Sequence, residues 1–224
     1  MARTKAERQK GTAYHEAGHA IASYLLGRGV VEVSIVDGEE TAGFVRNYPR
    51  RGWGDRLEDA DYQASWGGFT DGRLRRAVEI DIMISLAGGL TEERFTGVPE
   101  HETGSGIVKL TEEHAQALSA KYRGKWEKLI TRGDWALVLQ LARKVSGGDD
   151  EAGAYVAWLH ERTRNLISEP RFEPAVRALA DALLEHRVLT GREAKQIVRD
   201  AIERWQQPLL TRFEERVRTA SVPR

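Results

Sequence analysis

Two histidines and a glutamate near the start of the chain have the spacing found in metal-dependent hydrolases. His15, Glu16 and His19 form the motif H-E-x-x-H within T-A-Y-H-E-A-G-H-A-I-A-S-Y-L-L, a segment with helical patterning. Residues four apart lie on one face of a helix, so both imidazoles can point at one metal ion. Glu16 lies beside them and can take a proton from a water that the metal activates. This is the local chemistry of a zinc hydrolase.

A catalytic zinc usually has three protein ligands, so the motif requires a third residue. No histidine follows at the H-E-x-x-H-x-x-G-x-x-H spacing, which makes the chain unlike a metzincin. The other four histidines show no ligand spacing, and the chain has no cysteine. A carboxylate is therefore expected, and the residues themselves leave five open: Glu92, Glu93, Glu112, Glu113 and Asp134.

The composition limits the classes of partner. The 224 residues include 34 basic and 34 acidic ones, and this zero net charge argues against nucleic acid, because phosphate binding needs a basic surplus. The basic start of the chain lacks the apolar stretch of a secretory signal. No run of about 18 apolar residues is present that could span a membrane. We therefore expect a cytoplasmic protein without membrane insertion.

The elements that must position the motif are mostly helical. Helical spacing of apolar residues predicts a first helix over 6–26, and alternation predicts a hairpin of strands 30–36 and 41–48 beside it. The expected fold class is mainly α (α+β), with a small sheet beside the H-E-x-x-H helix. Gly88-Gly89 is expected to interrupt the helix that follows the hairpin. Helices are predicted over 72–87, 111–122, 134–146, 151–168, 173–186 and 191–205.

The chain is expected to form a single domain over residues 1–206. Residues 49–72 are rich in Gly, Asp, Arg and aromatic residues and are predicted to be an exposed loop or insertion. Residues 207–224 contain two prolines and are predicted to form a loosely held C-terminal tail.

Four segments resemble, in order, the FtsH-type ATP-dependent zinc metalloproteases. The zinc helix of that family reads H-E-A-G-H-A, as residues 15–20 do. Residues 82–97 resemble its G-G-x-x-A-E-E helix, and residues 133–145 resemble its N-D-L-x-x-A-T-x-x-A-R-x-x-V helix. Residues 178–198 resemble its closing L-x-x-x-L-L-E-x-x-x-L-x-G-x-E-x-x-x-I segment. The resemblance is to the peptidase part alone, because the chain shows neither the G-x-x-x-x-G-K-[ST] loop of an ATPase nor a transmembrane segment.

The resemblance implies a helical zinc-peptidase domain with Zn²⁺ as cofactor. It implies Asp134 as the third ligand beside His15 and His19, with Glu16 as the catalytic base. Residues 98–132 exceed that family's usual connection and are expected to hold a loop or insertion. The implied activity is hydrolysis of peptide bonds in extended or unfolded polypeptides, independent of ATP within this chain. Residues 43–46 are the expected edge strand for such a substrate.

Several alternatives stay open at this point. A catalytically silent or partner-specific binding protein could use the same fold, although a binding module has no need of Glu16. A dedicated peptidase would cut one particular partner. Glu92 or Glu93 is alternatively the acceptor for the N–H of a ligand histidine. A homo-oligomer, and assistance from a separate ATPase or adaptor, are both compatible with the sequence.

Overall fold

The computed structural model describes residues 3–36, 42–49, 72–98 and 134–220. The described part is mainly helical with one small antiparallel sheet, as predicted. The interiors of the two predicted insertions, and the helix predicted over 111–122, lie outside these residues. The elements in chain order are α1 (Lys5–Leu25), β1 (Val30–Ser34), β2 (Phe44–Asn47), α2 (Gly72–Thr96), α3 (Asp134–Lys144), α4 (Asp149–Ile167), α5 (Phe172–His186), β3 (Val188–Thr190) and α6 (Gly191–Ala220).

Helix α1 carries the H-E-x-x-H motif and begins at a capping box. The Thr4 hydroxyl accepts a hydrogen bond from the Glu7 amide at 3.2 Å, and the Glu7 carboxylate accepts one from the Thr4 amide at 2.8 Å. These reciprocal bonds satisfy amides that the first turn of a helix leaves free. Residues 16–23 of this helix are all buried, which anchors it in the core, and Ala17, Ile21 and Ala22 have 0% exposure.

Helices α1 and α2 approach closely because glycines lie between them. A Cβ on Gly18 would come within 2.6 Å of the Ala87 carbonyl oxygen and 2.5 Å of Thr91 Oγ1. The interruption expected at Gly88-Gly89 is wrong, since α2 continues through both residues. A helical glycine costs about 1 kcal/mol relative to alanine, which packing against another helix can offset. Tertiary contact has therefore overridden the local propensity.

The sheet has the strand order β2-β1-β3, with both pairs antiparallel. The predicted hairpin is confirmed as β1 and β2, in which Val33 pairs with Val45. The hairpin turn over 37–41 lies outside the described residues. Strand β3 lies on the other side of β1, where Leu189 pairs with Val33. This strand is not predicted from the sequence, because three residues are too few to show an alternating pattern. Among the described strands, β2 is therefore at one edge of the sheet.

Helix α6 extends further than the sequence predicts. The helix expected to end at 205 continues through Pro208 to Ala220. A single proline removes one backbone hydrogen bond, and helix-forming neighbours carry the helix past it. Leu210 and Phe213 are 54% and 66% exposed, so this extension adds little to the core. Among the described residues, no helix is long and apolar enough to cross a bilayer.

Candidate metal centre

Three side chains from two helices bring ligand atoms to one point. His15 and His19 lie one turn apart on α1, and Asp134 is the first residue of α3. Asp134 Oδ2 is 3.1 Å from His15 Nε2 and 3.2 Å from His19 Nε2. The three ligand atoms all lie within 4.8 Å of one another. Two imidazole nitrogens and a carboxylate oxygen form a donor set that suits zinc.

The other nitrogen of each imidazole contacts a protein acceptor. His19 Nδ1 lies 2.7 Å from the Ile84 carbonyl oxygen, and His15 Nδ1 lies 3.3 Å from Glu92 Oε2. An acceptor at Nδ1 favours the tautomer that carries its proton there. The Nε2 lone pairs would then face the shared point, which is the arrangement that metal binding requires.

Gly88 provides the space in which the two imidazoles meet. A Cβ at this position would lie 2.3 Å from His19 Nε2 and 2.8 Å from His15 Nε2. No other residue type fits there without displacing a ring. The donor set and this cradle together fit a single metal ion. In the sequence, the Gly88-Gly89 pair inside an apolar helical pattern was the one sign of this close approach. Its meaning becomes clear only from the contact between the two helices.

Glu16 is a buried carboxylate next to the donor set. Glu16 is 5% exposed, and its Oε2 atom has no hydrogen-bond partner among the described residues. Burial raises the pKa of Glu16 above its ordinary value, against the opposing effect of His19 and His15. A carboxylate with a raised pKa is a better proton acceptor in general base chemistry.

Without a metal ion, the two candidate imidazole ligands hold protons strongly, since the pKa values of His15 and His19 are both raised. Burial alone lowers the pKa of His15, but its contacts with Asp134 and Glu92 outweigh burial and raise the pKa to about 10. Burial alone raises the pKa of Asp134, but His19 and His15 lower it well below its ordinary value. The carboxylate thus stabilises charged imidazoles when no metal is present, and a metal ion would displace those protons.

Of the other four carboxylates considered from the sequence, the structure describes Glu92 and Glu93. Glu92 contacts the far nitrogen of His15 and is not a member of the three-residue group in the described part of the chain. Glu93 is partly exposed and is not a member of that group either. Glu112 and Glu113 lie outside the described residues. Arg3, which contacts Glu92, was missed because nothing in its local sequence distinguishes it.

Comparison with known proteins gives one consistent relationship. No protein-family model matches the chain. The chain is 27% identical over 209 residues to ATP-dependent zinc metalloprotease FtsH 2 of Methylacidiphilum infernorum, with 86% of this chain covered. It is similar to the FtsH-type zinc metalloproteases. Proteins named ATP-dependent zinc metalloprotease FtsH from Chloroflexus aggregans and Ruminiclostridium cellulolyticum are 26% and 29% identical, with 88% and 87% of this chain covered.

The similarity to FtsH proteins covers most of this chain but a minor part of theirs. The chain spans 29% to 30% of the length of these curated relatives. The resemblance carried by the four sequence segments is thereby confirmed. The remaining 70% or so of those proteins has no counterpart in the alignment.

Proposed function

We propose that the chain is a zinc-dependent endopeptidase that cleaves extended or unfolded polypeptides, without using ATP itself. The observation that carries the proposal is the converging donor set of His15, His19 and Asp134, with the buried Glu16 beside it. The names of the FtsH relatives support both zinc and peptide hydrolysis. We place the protein in the cytoplasm.

His15, His19 and Asp134 would hold the zinc ion. When bound, zinc supplies Lewis acidity, which polarises a carbonyl and lowers the pKa of water. Glu16 accepts the proton that the attacking water loses and transfers it to the nitrogen of the leaving amine. Burial raises the pKa of Glu16, which makes this carboxylate a stronger proton acceptor.

Strand β2 is the proposed binding edge for the polypeptide. Among the described strands it pairs only with β1, so its other side can add an extended segment through backbone hydrogen bonds. Gly43 precedes β2, and a Cβ there would lie 2.8 Å from Glu16 Oε1. A segment along β2 would therefore pass the base. Backbone recognition of this kind gives little sequence specificity, as expected for unfolded substrates.

Zinc content and cleavage together test this proposal. Purified protein should contain about one zinc per chain and should cleave an unfolded test protein faster than its native form. Cleavage of one native partner alone would favour a dedicated peptidase. Delivery of substrates by a separate ATPase or adaptor is part of the proposal, since the relatives are named ATP-dependent. Adding such a partner should extend cleavage to folded proteins.

A catalytically silent binding protein on the same fold is not favoured. Burial of an unpaired carboxylate is unfavourable, and a binding function gains nothing from it. Glu16 Oε2 is buried without a hydrogen-bond partner among the described residues, beside the donor set, where a general base is needed. A protein that holds zinc and leaves every unfolded substrate intact would support this alternative.

A further inference from the structure

Arg3 contacts the carboxylate that holds His15. Arg3 Nη1 donates to Glu92 Oε1 at 3.2 Å, while Glu92 Oε2 lies 3.3 Å from His15 Nδ1. These contacts link the residue before the cap of α1, through α2, to a ligand in the middle of α1. We propose that Arg3 is a positioning residue, which fixes the Glu92 carboxylate and through it the orientation of the His15 imidazole. The inference rests on the proposed zinc site.

The Glu92 carboxylate is buried between its two contacts. Its side chain is 6% exposed, and that of Arg3 is 25% exposed. A buried carboxylate is unfavourable unless it is paired and hydrogen-bonded. Since Arg3 contacts one oxygen and His15 lies at the other, the carboxylate cannot rotate without losing one of them. Arg3 is therefore positioned to set the plane in which Glu92 meets the imidazole.

The main chain at Arg3 is itself held in place. Arg8 Nη1 donates to the Arg3 carbonyl oxygen at 2.7 Å, and the Arg8 amide donates to the Thr4 carbonyl oxygen at 3.1 Å. The capping box at Thr4 fixes the next residue. The Arg3 side chain thus starts from an ordered point, so less freedom is lost when it reaches Glu92.

Gly11 leaves room for the ion pair. A Cβ at Gly11 would lie 2.6 Å from Glu92 Oε1 and 3.6 Å from Arg3 Nη1. The Glu92 carboxylate therefore lies directly against the backbone of α1, one turn before His15. The absence of a side chain at Gly11 leaves space for the carboxylate, and Arg3 contacts it there.

Arg3 would offset part of the negative charge around the zinc-loaded site. Glu16, Glu92 and Asp134 would supply three negative charges, against two from zinc and one from Arg3. Removing Arg3 has two opposite effects on zinc affinity. Loss of a nearby positive charge alone would tighten binding of a cation, whereas loss of a positioned Glu92 would weaken it. The sign of the change therefore distinguishes positioning from a general charge effect.

The experiment measures the zinc dissociation constant of the full chain by competition with a chromogenic chelator. Arg3→Met keeps a flexible unbranched stem and removes the charge, and Arg3→Lys restores the charge. Lys5→Met is the matched control, because Lys5 is exposed at the same end of α1. We expect zinc binding about fivefold weaker in Arg3→Met, below the roughly 10- to 100-fold typical of a residue in direct contact with a ligand. Arg3→Lys should recover most of this loss, and Lys5→Met should stay within about twofold of wild type.

A double variant tests whether Arg3 acts through Glu92. In a Glu92→Gln background, Arg3→Met should cause no further loss beyond about twofold. An equal loss in both backgrounds would overturn the inference, as would unchanged or tighter zinc binding in Arg3→Met. Thermal melting of the metal-free variants identifies any general loss of folding. If wild type bound no zinc, the zinc site itself would be overturned, and the two failures are thereby distinguishable.

Discussion

The Glu16 carboxylate lies against the backbone of Gly43, where a Cβ would approach its Oε1 to 2.8 Å. This contact joins the proposed base on α1 to the residue before β2, which lies at one edge of the sheet among the described strands. The same Cβ would lie 2.8 Å from the Ser34 carbonyl oxygen on β1. The proposed proton acceptor and the proposed edge for polypeptide binding are thus adjacent, which neither element would show alone.

Glu16→Gln should retain zinc and abolish cleavage. The amide keeps the shape of the side chain but cannot accept a proton, and general base catalysis contributes on the order of 100- to 10,000-fold to a rate. Hydrolysis of an unfolded test protein and zinc content are measured on the same preparation. Cleavage at the wild-type rate would show that Glu16 is not the base.

Gly43→Ala should reduce cleavage more than tenfold, because the new Cβ would collide with the side chain of Glu16, the proposed base, and with the Ser34 carbonyl oxygen. Zinc affinity should stay within about twofold of wild type, because the Cβ meets no proposed ligand. Gly153→Ala is the control, because a Cβ there meets nothing within 4 Å. Kinetics with an unfolded substrate measure the effect. Equal activity of both variants would argue against passage of the substrate beside Gly43.

Gly88→Ala should weaken zinc binding at least tenfold. The Cβ would lie 2.3 Å from His19 Nε2, and the ring cannot easily move away because its Nδ1 is held at the Ile84 carbonyl oxygen. Calorimetric titration with zinc gives the affinity. Retention of wild-type affinity would mean that the imidazoles meet the metal elsewhere.

Substituting Asp134, Glu92 and Glu93 one at a time should reduce zinc affinity in the order of how directly each carboxylate contacts the metal. Glu92→Gln should weaken zinc binding about 10- to 100-fold, because Glu92 contacts a ligand histidine and not the metal itself. Asp134→Asn should weaken zinc binding more than that, because Asp134 is the proposed third ligand. Glu93→Gln should bind zinc as wild type does, because Glu93 is not in the three-residue group. If Glu92→Gln lost more affinity than Asp134→Asn, Glu92 would be the better candidate for the third ligand.

Zinc affinity should rise with pH between 6 and 8. The pKa of His15 in the metal-free site is raised to about 10, so this imidazole is protonated at neutral pH and zinc must displace the proton. Each proton displaced gives about a tenfold change in affinity per pH unit below that pKa. Titrations in buffers that do not bind zinc measure the slope. Affinity that did not change with pH would contradict displacement of ligand protons.

The sequence predicts most of what depends on local spacing. The positions of His15 and His19 on one helix face follow from their spacing, and the first hairpin follows from alternation around Val33. Asp134 is different, because an Asp at a helix start is commonly only a cap. It was singled out by resemblance alone, and it lies 119 positions from His15 along the chain.

Tertiary contacts account for what the sequence did not show. Gly88 is adjacent to the imidazoles only because α1 and α2 cross there, and Arg3 reaches Glu92 across 89 positions of sequence. Neither residue has a distinctive neighbourhood in the chain itself. Propensity predicts a break at Gly88, where packing instead preserves the helix.

Anomalous X-ray diffraction at the zinc absorption edge tests the central claim most directly. We predict one peak per chain, about 2.0–2.2 Å from His15 Nε2, His19 Nε2 and an Asp134 carboxylate oxygen. A crystal grown with zinc that showed no peak there would contradict the proposed metal centre. A peak coordinated by the two histidines and a different carboxylate would contradict the assignment of Asp134.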